Sequence, residues 1–74
     1  MINVKSSNIK SIGFINKSKT LIIEFLNGRT YKYLNVSKNI YNEFLNSKSK
    51  GKFFNSKIKN IFSFEEKDAK NIKN

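Results

Sequence analysis

Apolar and polar positions alternate through the first half of the chain, and the spacing changes from two to nearly four after Val36. Ile9 to Ile15 alternates with Ile12 and Phe14 on one face, and the polar run Asn16-Lys17-Ser18-Lys19 then marks a loop. Thr20 to Leu26 is the strongest strand signal, with Leu21, Ile23 and Phe25 sharing a face. A four-residue loop pairs Phe14 with Leu21 and Ile12 with Ile23, which puts both apolar sets on one side. The turn Asn27-Gly28 follows, and Thr30 to Leu34 reads as a third strand.

The third strand has two registers. With Asn27-Gly28 as a two-residue turn, Phe25 opposes Thr30 and Ile23 opposes Lys32, so Tyr31 and Tyr33 lie outside and are free to stack on bases. With Arg29 in a three-residue loop, Phe25 opposes Tyr31 and Ile23 opposes Tyr33, and both tyrosines join the core. One residue of slip exchanges the faces. Setting Lys32 against Ile23 in a core costs about several kcal/mol unless the ammonium snorkels, which favours the tyrosines inside.

Two helices follow. Ser37 is an N-cap candidate, with Val36 and Tyr41 as a hydrophobic staple. Ile40, Tyr41, Phe44 and Leu45 repeat at helical spacing and cover the sheet. A second helix starts near Gly51 and runs through Asn60, with Phe54, Ile58 and Ile61 or Phe62 inward and Phe53 off that stripe, partly exposed. The expected architecture is therefore α+β: a small antiparallel three-stranded meander over residues 8–34, followed by two helices at 37–47 and 51–61 packed on one face. Residues 1–64 read as one domain, and 65–74 as a mixed-charge tail that frays. Ser63 and Glu66 match a capping box there, but so short a helix is marginal alone, and Phe62, Phe64 or Ile72 are the residues that could pack it.

Charge points to an anionic partner. The chain has 15 basic and 5 acidic side chains, a formal net charge of +10. In the tail Glu65, Glu66 and Asp68 balance Lys67, Lys70 and Lys73, so the whole excess sits in the first 64 residues. A field of that sign draws nucleic acid or nucleotides. Lys, Asn and Ile share A/T-rich codons, however, and lysine outnumbers the single Arg29 where bidentate phosphate recognition favours arginine. A merely solvated basic surface is the competing explanation.

The lysines concentrate between Lys48 and Lys59, which hold five of them and no acid. Lys48, Ser49, Lys50, Gly51 and Lys52 crowd a helix start, where the macrodipole is already positive. A bound phosphate relieves that clash, and glycine lets it approach the backbone. The candidate phosphate or nucleic-acid contacts are Lys48, Ser49, Lys50, Gly51, Lys52, Asn55, Lys57 and Lys59, with Tyr31, Tyr33 and Phe53 for stacking or edge contacts. Alternatively, Gly51 serves a tight interhelical turn and the lysines are solvated. The spacing is not that of a Walker motif.

Taken in order, Ser6-Ser7-Asn8-Ile9, Ile12-Gly13-Phe14, Leu21-x-Ile23-x-Phe25, Asn27-Gly28, Tyr31-Lys32-Tyr33, Val36, Tyr41 and Leu45 resemble a KTSC domain. The likeness continues through Ser49-Lys50-Gly51-Lys52-Phe53-Phe54-Asn55 and Ile58. This small module occurs at the C-terminus of some lysyl-tRNA synthetases and as free-standing bacterial and viral proteins. The likeness covers residues 4 to about 62; Phe14 stands where Tyr is usual, and Ser37 replaces the usual Pro after Val36. It implies the fold, and by its synthetase attachment it implies RNA binding.

Catalysis is not indicated. The chain has no His and no Cys, no metal-ligand spacing, no cofactor motif, and only Glu24 and Glu43 as acids inside the expected domain. The absence of Cys, of a long apolar run and of a signal-peptide stretch points to a cytoplasmic protein with no membrane partner. Three functional readings follow: an RNA- or DNA-binding module; a stand-alone viral or mobile-element protein that sequesters a nucleotide signal or inhibits a partner protein, as phage counter-defence proteins do; and an oligomeric protein-interaction module. A broad basic groove favours the first, a deep basic pocket the second and an exposed hydrophobic patch the third.

Overall fold

The computed structural model describes residues 1–68. Strands β1 (Ile2–Asn3), β2 (Ile9–Ile15), β3 (Thr20–Phe25) and β4 (Arg29–Tyr33) precede helices α1 (Lys38–Asn46) and α2 (Lys50–Lys57), and β5 (Phe64–Asp68) follows. The strands form one sheet in the order β1-β2-β3-β4-β5, each antiparallel to its neighbour. The α+β class and the two helices are as expected, but the sheet has five strands rather than three. β1 is too short to show alternation. β5 is Phe-Glu-Glu-Lys-Asp, poor in strand-favouring residues, and its pairing is set by tertiary partners instead.

β2 and β3 pair in the expected register, Phe14 with Leu21 and Ile12 with Ile23. A bulge between Ile9 and Ser11 adds one residue, so Ile9 and Ile12, an odd number apart, both face the core. On the opposite face the nearly buried Ser11 hydroxyl donates to Glu24 Oε1 at 2.9 Å.

β3 and β4 pair Ile23 with Tyr31 and Leu21 with Tyr33. The tyrosines therefore lie on the core face, and Lys32 sits opposite Ile22 on the other side. The residue pairs differ by two positions from those expected, because the loop is Leu26-Asn27-Gly28, leaving Arg29 inside the strand. Gly28 takes φ +93°, a conformation that suits glycine, and its N–H donates to Phe25 O at 3.0 Å. Asn27 Oδ1 accepts from the Arg29 N–H at 3.0 Å, and the Leu26 N–H donates to Asn8 O at 2.8 Å, anchoring the loop to the start of β2.

Ser37 caps α1, accepting from the Ile40 N–H at 3.2 Å. Phe44 is buried under this helix, Ile40, Tyr41 and Leu45 pack partly against the core, and Phe14 stacks on Tyr41 at 4.9 Å. α2 begins one residue earlier than expected and ends at Lys57 rather than near Asn60. The N–H groups of Ile58 and Lys59 both donate to Phe54 O, at 3.1 and 2.8 Å, closing the helix. Ile58 is fully buried, Phe62 packs against the core and Ile61 is 62% exposed, so Phe62 is the inward residue of that pair. The early stop lets the chain return to β4, where the Leu34 N–H donates to Ser63 O at 2.9 Å.

That return corrects the expected tail. Instead of fraying from Glu65 or capping a helix with Ser63 and Glu66, the chain pairs with β4 through Asp68, with Phe64 opposite Tyr33 and Glu66 opposite Tyr31. The Arg29 guanidinium pairs with the Glu66 carboxylate. Residues 69–74, including Ile72, lie outside the described residues. No helix among the described residues is long and apolar enough to cross a membrane.

Candidate nucleic-acid interface

The lysine-rich segment begins with a cap. Ser49 is the N-cap of α2, and its hydroxyl accepts from the Lys52 N–H at 3.3 Å. Lys50 turns back and donates from Nζ to Ser47 O at 2.7 Å, satisfying a carbonyl at the end of α1. One hydroxyl and one ammonium of the expected cradle therefore have partners inside the protein. Lys48, Lys52, Lys57 and Lys59 are exposed. Phe53 stacks on Phe44 at 5.3 Å and packs the two helices together.

Gly51 lies within the first turn of α2 rather than in the interhelical turn. A Cβ placed there would meet nothing within 4 Å. Gly51 and Asn55, one helical turn apart, line an open cleft of about 490 Å³ with Ser7, Asn8 and Asn27, over a floor that includes Phe25 and Phe54. The β3–β4 loop and the segment before β2 form the far wall, held together by the Leu26–Asn8 hydrogen bond.

A second cleft of about 470 Å³ adjoins the first, sharing Phe25, Asn27 and Phe54. Its other lining residues are Tyr31, Tyr33, Phe64, Lys59 and Asn60. The rings are mutually supported. Tyr31 lies 5.3 Å from Phe25, 6.2 Å from Tyr33 and 5.4 Å from Phe64 between centroids, and Tyr33 lies 5.6 Å from Phe54. Such offset and edge contacts fix ring orientation. Phe64 remains 50% exposed, so the cluster presents aromatic surface to solvent.

Tyr33 is only 2% exposed, yet it lines this cleft. Burial, reinforced by the neighbouring Tyr31, pushes its phenol up to about 12. Neither Tyr31 nor Tyr33 hydrogen-bonds through its hydroxyl to another described residue, which leaves both hydroxyls for solvent or a ligand.

Of the residues singled out from sequence, the structure gathers Gly51, Asn55, Lys59, Tyr31 and Tyr33 around one pair of adjoining clefts. Lys48, Ser49, Lys50, Lys52 and Lys57 belong to the same segment but do not line them, and neither does Phe53. The cleft residues not singled out include Ser7, Asn8, Asn27, Asn60, Phe25, Phe54 and Phe64. The Asn27-Gly28 signal marked a turn and nothing more, and the strand that carries Phe64 was not legible. No cluster of His, Cys, Asp or Glu suited to a metal occurs among the described residues.

The KTSC domain model matches residues 5–62. A lysine–tRNA ligase of Nostoc punctiforme is 36% identical over 66 residues, which is 89% of this chain. The chain spans 12% of that relative's length. The crystal structure of a KTSC domain protein from Yersinia pestis superposes with a TM-score of 0.83 at 38% identity, covering 85% of this chain and 89% of the other.

Proposed function

This chain belongs to the KTSC domain family, and we propose that it is a non-catalytic module that binds single-stranded RNA. The aromatic cleft carries the reading. Tyr31, Phe25 and Phe64 offer ring surface of the kind on which bases stack, the buried Tyr33 ring backs them, and Lys59 stands beside the cleft to meet a phosphate. Base–aromatic stacking contributes about 1–3 kcal/mol per base. The remaining exposed lysines of the α2 segment, Lys48, Lys52 and Lys57, extend the positive field along the backbone of the strand.

Two adjoining open clefts favour a chain of nucleotides over one enclosed nucleotide, since each is open and they share one wall. RNA rather than DNA is supported by the relative whose name describes a ligase acting on tRNA. Unpaired RNA is the form whose bases can splay into such clefts.

Fluorescence polarisation with a labelled single-stranded RNA tests the reading. At about 50 mM salt the protein binds, and the affinity falls steeply with added salt, with a slope set by the number of phosphates neutralised. Tyr31→Ala weakens binding by about fivefold to a hundredfold, the loss of one stacked base. Absence of association at low salt removes the reading.

A further inference from the structure

The cleft beside the aromatic one has a different chemistry. Ser7, Asn8, Asn27 and Asn55 line it, and no Lys, Arg, Asp or Glu does. The side-chain amides of Asn8 and Asn55 have no hydrogen-bond partner among the described residues. Asn27 uses its Oδ1 on the Arg29 N–H, which leaves its NH₂ available. Gly51 completes the wall. Glycine inside a helix is destabilising relative to alanine, and neither a left-handed backbone nor a steric neighbour requires it here. Its missing side chain keeps the cleft open.

We propose that this cleft reads the edge of an adenine, the base next to the one stacked in the aromatic cleft. The inference rests on the RNA reading above and narrows it from any single strand to strands containing adenine. An amide presents a donor and an acceptor side by side, which matches the paired N6 amine and N7 of adenine. Guanine is read by Arg or Lys at O6 and N7, and cytosine by a carboxylate at N4; this cleft has neither kind of group. The two-ring adenine also covers the Phe25 and Phe54 floor more fully than a pyrimidine does.

The test compares short A-only, C-only and U-only oligoribonucleotides on the intact protein. The A-only strand binds about tenfold more tightly than the others, the discrimination of one bidentate pair. Asn55→Ala and Gly51→Ala each remove that preference, bringing the affinity for the A-only strand down to that for the C-only and U-only strands. Both substitutions favour the helix, so thermal melts at or above the parent's temperature separate a lost contact from a lost fold. Equal affinity of the parent for all three strands overturns the adenine site and leaves the RNA reading standing. Retention of the A preference in both variants also overturns it. Failure of all three strands to bind overturns both proposals together.

Discussion

The ring centroid of Phe64 lies 5.4 Å from that of Tyr33, so the last described strand supplies a wall of the aromatic cleft. The contact joins two functions: it docks β5 on β4, and it completes the surface on which a base would stack.

Phe64→Ala therefore acts on both. Half of the ring is already solvated, so the lost burial and ring contacts amount to about 1–2 kcal/mol of stability, read by chemical denaturation. RNA affinity falls with it, measured under conditions where the variant remains folded. Unchanged stability and unchanged affinity would show that β5 contributes to neither.

Tyr33 makes folding sensitive to alkaline pH. Its phenol titrates near the ordinary value of about 10 in the unfolded chain and near 12 in the folded one. The native state therefore favours the protonated form, and its contribution is fully present below pH 10 and is lost as pH rises toward 12. An ultraviolet tyrosinate titration therefore shows a late step near pH 12. Tyr33→Phe removes that late step and makes the stability loss between pH 10 and 12 shallower than in the parent. A late step that persists in Tyr33→Phe would place the perturbed phenol elsewhere.

Much of the fold was legible because local chemistry and packing agreed. The polar run Asn16 to Lys19 fixed the β2–β3 register, and Ser37 with the Ile40–Phe44 spacing fixed α1. The side of the sheet that Tyr31 and Tyr33 occupy followed from the cost of burying Lys32. The β3–β4 residue pairs did not follow, because turn chemistry at Gly28 allows either neighbour of Asn27-Gly28 to enter the loop, and Leu26 rather than Arg29 does. β5 was hidden for a different reason. Its polar composition carries no strand pattern, and its order comes from Arg29, Tyr31 and Tyr33 on β4.

For the site, sequence singled out residue types and structure sorted them. Lysine density drew attention to the start of α2, yet of that segment it is Gly51, Asn55 and Lys59 that line the clefts. Asn8 and Asn27 were beyond reach, because asparagine is common in this chain and only the folded loops bring these two opposite Asn55.

Charge reversal separates local lysines from net charge. Lys50→Glu with Lys52→Glu loses the Lys50 Nζ contact to Ser47 O but places two acids in the first turn of α2, where the dipole favours them. The stability change is within about 0.5 kcal/mol. RNA affinity falls more than in the control pair Lys17→Glu with Lys19→Glu in the β2–β3 loop, which makes the same charge change away from α2. Equal losses in the two pairs, by polarisation at low salt, would mean that only overall charge matters.

The most direct measurement is an NMR titration of the isotope-labelled protein with single-stranded RNA at low salt, following aromatic side-chain and backbone signals. The account predicts the largest shifts at Tyr31, Tyr33, Phe64 and Lys59 in the aromatic cleft, with Gly51 and Asn55 in the adjoining one. Shifts spread over the exposed lysines with the aromatic signals unmoved would contradict it.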